Sequence, residues 1–203
     1  MTEKSAKMIV VKMGGSLFGT PELGQWLHVL AQATHHQPIV IVPGGGPFAD
    51  QVRQAQQLHR VDDHTAHHMA LLAMKQFGLL LCGMHVACQS FECLNSPPAC
   101  GLSVWLPDDH ILSQPELPHS WEITADSIAL WLTQHLQAQA LILVKRCHTH
   151  TTSITALCKA QILDTGFASR FRAQPIQARI IHYQHAARFT DNIDNMTSCL
   201  TLP

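Results

Sequence analysis

Three short strings hold residue types suited to binding and moving phosphoryl groups: Lys12-Met13-Gly14-Gly15-Ser16, Val42-Pro43-Gly44-Gly45-Gly46-Pro47 and Ile123-Thr124-Ala125-Asp126-Ser127. Glycines directly after a strand let the backbone approach an anion, and their N–H groups can face its oxygens. Lys12 adds a fixed positive charge and Ser16 a hydroxyl donor. Three glycines in a row are costly to order, which is easier to explain if the backbone lies against a ligand. Asp126 has three readings: a cap for the helix that follows, a carboxylate orienting an ammonium such as that of Lys12, or a ligand for Mg²⁺. Neither GxxxxGK[ST] nor GxGxxG occurs, which excludes a Walker A loop and a dinucleotide fingerprint.

The elements that must position these strings follow from periodicity. Met8–Val11, Pro38–Val42, Leu141–Val144 and Ala178–His182 read as strands, the first three continuously apolar. Helices are expected over Thr20–His35, Phe48–Leu58, Thr65–Leu80, Asp126–Gln137, which reads as amphipathic, and Ile162–Phe171. Thr20, Pro21 and Glu22 give the first of these a cap, a suitable first-turn residue and a dipole partner. The proline-punctuated stretch Gln89–Ser120 reads as loops around one short strand, Leu102–Leu106. Strands that are apolar throughout and alternate with helices mean a parallel sheet covered on both faces. The expectation is a single domain over residues 1–203, a three-layer α/β/α sandwich with a mainly parallel sheet.

Composition sets limits. The chain has 203 residues, 46% hydrophobic and 13% charged, with a formal net charge of −1. Near-neutral charge argues against a broad nucleic-acid surface. No apolar run reaches the ~20 residues of a membrane span, and the N-terminus lacks a secretory pattern, so a cytoplasmic location is expected. Seven cysteines, an odd number without a CxxC pair, argue against a disulfide framework or a zinc ribbon. Fifteen histidines are unusual. His64 and His68 share a helix face near Asp62, and His148 and His150 alternate. Both spacings are compatible with metal ligation, yet surface and helix-end positions explain most of them, and no metal ligand is assigned.

In this order and at these separations, the three strings resemble the amino acid kinase superfamily. Met69–Met74, Leu117–Trp121 and Asp126–Ala129 are similar to its short branch, that of the aminomethylfuran phosphate kinase of methanofuran biosynthesis and its bacterial relatives. The resemblance spans about residues 8 to 145. It implies a carbamate-kinase-like fold and ATP-dependent phosphorylation of a small phosphate- or carboxylate-bearing acceptor in one-carbon cofactor synthesis, with Mg²⁺. Lys12 would contact the transferred group, and Gly14, Gly15 and Ser16 the nucleotide phosphates. Gly44, Gly45, Gly46 and Thr124 would meet the acceptor, while Asp126 would organise the catalytic lysine. Family analogy also implies a homodimer or higher homo-oligomer, with the apolar Thr65–Leu80 helix as an interface.

The chain departs from that pattern on the nucleotide side. Where the family has a Lys-Asp-Val-Asp-Gly-like turn, this chain reads Lys145-Arg146-Cys147-His148-Thr149-His150. The Asn-Gly turn and Gly-Thr ending of the short branch are replaced by His182-Tyr183-Gln184-His185 and Thr197–Pro203. Lys145 is either a second phosphate-neutralising lysine or a surface residue. The alternatives to an active kinase are an oxyanion- or metal-binding storage protein and a pseudokinase subunit acting with a homologous partner, both on the same scaffold.

Overall fold

The computed structural model describes residues 8–189 together with Leu200 and Thr201. Thr197–Cys199, Leu202 and Pro203 of the altered ending lie outside the described residues. Six strands pair in parallel: β1 (Ile9–Met13), β2 (Ile39–Pro43), β3 (Cys88–Phe91), β4 (Leu102–Trp105), β5 (Ala140–Lys145) and β6 (Gln177–His182). Their order is β3-β4-β2-β1-β5-β6. The connecting helices are α1 (Pro21–Ala33), α2 (Gly46–His59), α3 (Asp63–Met84), α4 (Ala125–His135), α5 (Ile154–Lys159) and α6 (Thr165–Ala173).

Strand alternation divides the core into two layers. Val10, Val40, Val42, Leu141 and Leu143 pack with α4, α5 and α6. Ile9, Val11, Met13, Ile39, Ile41, Ile142 and Val144 pack against α1. Helix α3 serves both layers, with Leu71 and Met74 in the first and Phe77 and Leu81 in the second. The chain runs from β1 to β2 on one side, and β5 pairs β1 on the other. The carboxyl end of β1 is therefore the switch point, where open parallel sheets leave a crevice.

Four expectations are corrected. β1 does not stop at Val11: Lys12 and Met13 continue it, because Lys12 is buried and its ammonium is paired. β3 lies in a stretch read as loop; it is an edge strand with polar Gln89 and Ser90 exposed, so no apolar run marks it. The helix expected over Ile162–Phe171 starts at Thr165, with Asp164 as its cap, and a separate helix α5 is capped by Ser153. α4 is not half-exposed, since Ala125 through Gln134 are all buried between the sheet and the outer helices.

Candidate active site

Lys12 and Lys145 end adjacent strands on the face that carries α4. The period-two pattern dictates this: Lys12 follows Val10, and Lys145 follows Leu141 and Leu143. Asp126 enters between them from the first turn of α4. Lys12 Nζ stands 3.0 Å from Asp126 Oδ1, an ion pair without an aligned hydrogen bond. Lys145 Nζ donates to Asp126 Oδ2, and to the Ile162 carbonyl at 2.6 Å. Asp126 does not cap α4, whose N-cap is Thr124. Each of its oxygens instead faces an ammonium, the arrangement expected of a carboxylate that orients lysines.

The electrostatics follow from burial. Desolvation alone would raise the Asp126 pKa, but Lys12 and Lys145 bring it down to about 2. Desolvation lowers the pKa of Lys12, an effect that Asp126 offsets and Lys145 reinforces. Of these three groups, Lys12 is the one that lines the crevice.

Asp164 is the residue that sequence reasoning missed. Its carboxylate accepts from Thr124 N at 2.9 Å, Thr124 Oγ1 at 2.8 Å, Ser127 N at 3.0 Å, Ser127 Oγ and Phe167 N at 3.0 Å. It fastens the start of α4, and so Asp126, to the start of α6. Burial, then the nearby Asp126 charge, pushes its pKa up. The signal was the cap pattern Asp164-Thr165-Gly166-Phe167, hidden by the apolar Ile162-Leu163 before it. Thr124 lines the cavity, but its hydroxyl is directed to Asp164.

The two glycine turns lean on each other. A Cβ on Gly15 would fall on Gly46 N, and one on Gly44 would lie 2.5 Å from Gly15 N. Gly46 takes φ +54°. Ligand approach is thus not the sole demand for glycine here; the turns are interlocked backbone to backbone. Gly15, Ser16, Gly44, Gly45 and Gly46 line one cavity with Lys12, about 450 Å³ in volume. Gly14 stands behind it, where a Cβ would meet Val144 O at 2.9 Å.

Leu71, Met74 and Ile128 form an apolar wall, and Arg53, Asp63, His67 and Trp121 line the same cavity. Trp121 Nε1 donates to Gln56 Oε1 at 2.6 Å, and the Arg53 guanidinium lies 4.3 Å from the indole centroid. The histidines proposed as possible ligands have other partners: His64 Nδ1 is 2.7 Å from His119 Nδ1, and His68 Nε2 is 3.1 Å from Asp109 Oδ1. Among the described residues no group of three or more His, Cys, Asp or Glu is arranged to hold a metal. On the β5–β6 side, His148 stacks on His182 with ring centroids 3.8 Å apart, and Arg146 lies over Tyr183. The substituted loop is thus an exposed segment that touches β6 and the turn after it through these ring contacts.

The amino acid kinase family model matches residues 7–95. Over 140 residues the chain is 30% identical to the [5-(aminomethyl)furan-3-yl]methyl phosphate kinase of Methanocaldococcus jannaschii. Residues 7–95 are thus similar to the amino acid kinase family. That alignment covers 67% of this chain and 64% of the relative, so the chain spans less than two thirds of the relative's length. Solved amino acid kinase folds superimpose over most of it. The uridylate kinase of Archaeoglobus fulgidus gives a TM-score of 0.66 at 12% identity, covering 91% of this chain and 95% of that one. For the UMP kinase of Ureaplasma parvum the values are 0.63, 13%, 95% and 97%. The aspartate kinase of Synechocystis gives 0.66 at 15% identity, over 87% of this chain and 38% of that one.

Proposed function

We propose that this chain is an amino acid kinase family member, an ATP-dependent kinase for a small phosphate- or carboxylate-bearing acceptor in the methanofuran branch of one-carbon cofactor synthesis. The observation that carries the proposal is the shared carboxylate: Asp126 holds Lys12 and Lys145 together where the glycine turns meet the cavity. In the reaction an acceptor oxygen bonds to the γ-phosphorus of ATP as the bond from that phosphorus to the ADP oxygen breaks. Such transfer needs alignment and neutralisation of charge more than it needs a strong base. An anionic acceptor arrives deprotonated, so no proton has to move.

In this reading Lys12, which borders the cavity, meets the transferred group. Lys145 stands toward the nucleotide side. Gly15 and Ser16 present an amide and a hydroxyl to the nucleotide phosphates, with Gly14 behind them, and Gly44–Gly46 meet the acceptor's anionic group. Asp126 and Asp164 are both engaged by protein donors, so Mg²⁺ fits as an ion carried on the triphosphate, where it would neutralise phosphate charge. The exposed face of α3, with Leu72, Leu79, Leu80 and Met84, supports a homo-oligomer.

The second reading is a non-catalytic binder or pseudokinase, favoured by the packed His148–His182 stack where the family's acidic turn would be. One experiment separates the two. The protein is mixed with ATP, Mg²⁺ and the acceptor named for the methanogen relative, with ³¹P spectra recording ADP and a new diphosphate. Their appearance supports the kinase; no turnover together with no ATP binding by calorimetry refutes it.

A further inference from the structure

A crossbar of side chains ties α2, α3 and the segment before α4 together beside the cavity. Trp121 is its middle member. Its Nε1 donates to Gln56 Oε1 at 2.6 Å, and Gln56 Nε2 donates to Asp63 Oδ1 at 2.9 Å. The Arg53 guanidinium lies 4.3 Å from the indole centroid, and Asp50 holds Arg53 in turn at 3.0 Å. The ring also packs on the small cluster of Ala49, Val52, Ala66 and Ala73. The indole is therefore fixed both at its N–H edge and on its face. Turning it would leave the N–H without an acceptor and strip Arg53 of its aromatic contact.

The crossbar stands away from the glycine turns. Gly46, Ala49, Asp50 and Arg53 line the cavity at i, i+3, i+4 and i+7, one face of α2. Arg53 is seven residues beyond Gly46, about 10 Å along the helix axis, and Gln56 about 15 Å. Lys12 and the glycine turns thus form one end of the cavity, and Trp121 stands at the level of the later turns of α2. Between them the wall is apolar, with Ala70, Leu71 and Met74 from α3 and Ile128 from α4. Trp121 borders the cavity, whereas Gln56 stands behind it and does not.

We propose that Trp121 is a specificity-determining residue that limits the length of the acceptor's apolar body, and that Gln56 is the positioning residue that makes this limit rigid. An acceptor anchored by its anionic group at the glycine turns extends along Leu71 and Met74 and stops at the indole. Bodies shorter than that span fit, and each methylene they bury raises affinity about fourfold. Longer ones meet a ring that does not turn aside. The limit rests on the reading in which Gly44–Gly46 take the acceptor's anionic group, and it holds whether or not ATP is turned over.

Calorimetry without ATP, on the n-alkyl phosphates from ethyl to decyl, tests the limit. With wild type the gain per methylene is expected to end at or before octyl phosphate, which is longer than the span when extended. Trp121→Ala is expected to carry the gain two methylenes further, so that it binds decyl phosphate about tenfold more tightly than wild type does. Gln56→Ala keeps the indole but removes the acceptor of its N–H, and it should move the limit in the same direction. A merely structural loss would weaken every member by one factor and leave the limit where it is. A limit at the same chain length in wild type and both variants, or no limit in wild type, would overturn the assignment while the anion seat stands. If wild type binds no member, the anion seat has failed and the limit falls with it. Where a thermal melt shows that Trp121→Ala does not fold, Gln56→Ala decides alone, and an unmoved limit refutes the proposal.

Discussion

Lys12 illustrates how much one buried cation asks of its surroundings. It is 6% exposed, and its ammonium is tolerated because Asp126 faces it. Lys12→Met is expected to lower kcat by about 10²- to 10³-fold, as for loss of a group that stabilises developing charge, while ATP binding by calorimetry changes less. Asp126→Asn leaves two ammonium groups without their counter-charge and is expected to cost about 3 kcal/mol in urea unfolding. His67 makes stability depend on pH. Its pKa is about 4 in the folded state against 6.5 for a free histidine, so between those values the unfolded chain binds the extra proton. Its contribution is complete above about pH 6.5 and is lost as pH falls toward 4, with a slope of at most ~1.4 kcal/mol per pH unit. Urea midpoints at pH 7, 6 and 5 should fall accordingly, and His67→Asn should flatten that part of the curve.

At the scale of elements, the candidate site is three termini brought to one point. The ends of β1 and β5 supply lysines, and the start of α4 supplies their carboxylate. The two glycine turns close over each other beside them. Because Gly15 and Gly46 touch through backbone, Gly15→Ala must push the turns apart. It is expected to abolish activity and lower the thermal midpoint. Gly24, in the interior of α1 with nothing near its missing Cβ, is the control: Gly24→Ala should raise stability by about 0.5–1 kcal/mol. Asp164 belongs to this scale too, because one carboxylate joins the N-termini of α4 and α6. Asp164→Ala would unfasten the start of α4 and move Asp126 away from its lysines.

For the whole molecule, α3 links the cavity to the exterior. Its inner face lines the cavity with His67, Leu71 and Met74, while Leu72, Leu79, Leu80 and Met84 are exposed on its outer side. If that face joins two copies, light scattering should give a dimer or larger species, and Leu79→Glu should shift it to monomer without unfolding. The described residues contain no helix long and apolar enough to cross a membrane.

The strands β1, β2 and β5 and both glycine turns were legible from sequence, because an apolar run broken by glycine and lysine is a local pattern. So was the family, which those strings carry in order. What the sequence could not show depended on contacts far apart in the chain. Strand β3 pairs on one edge only, so it has no apolar signature of its own. Asp164 acts on Thr124 and Ser127 across about forty residues. The glycine turns' mutual contact exists only once parallel pairing aligns the strand ends. The sequence alone determined that glycines, lysines and Asp126 must occur at strand–helix junctions. Only tertiary structure decided that Asp126 faces two lysines rather than capping α4. The physical reason is that a carboxylate's role is set by which charges folding places beside it.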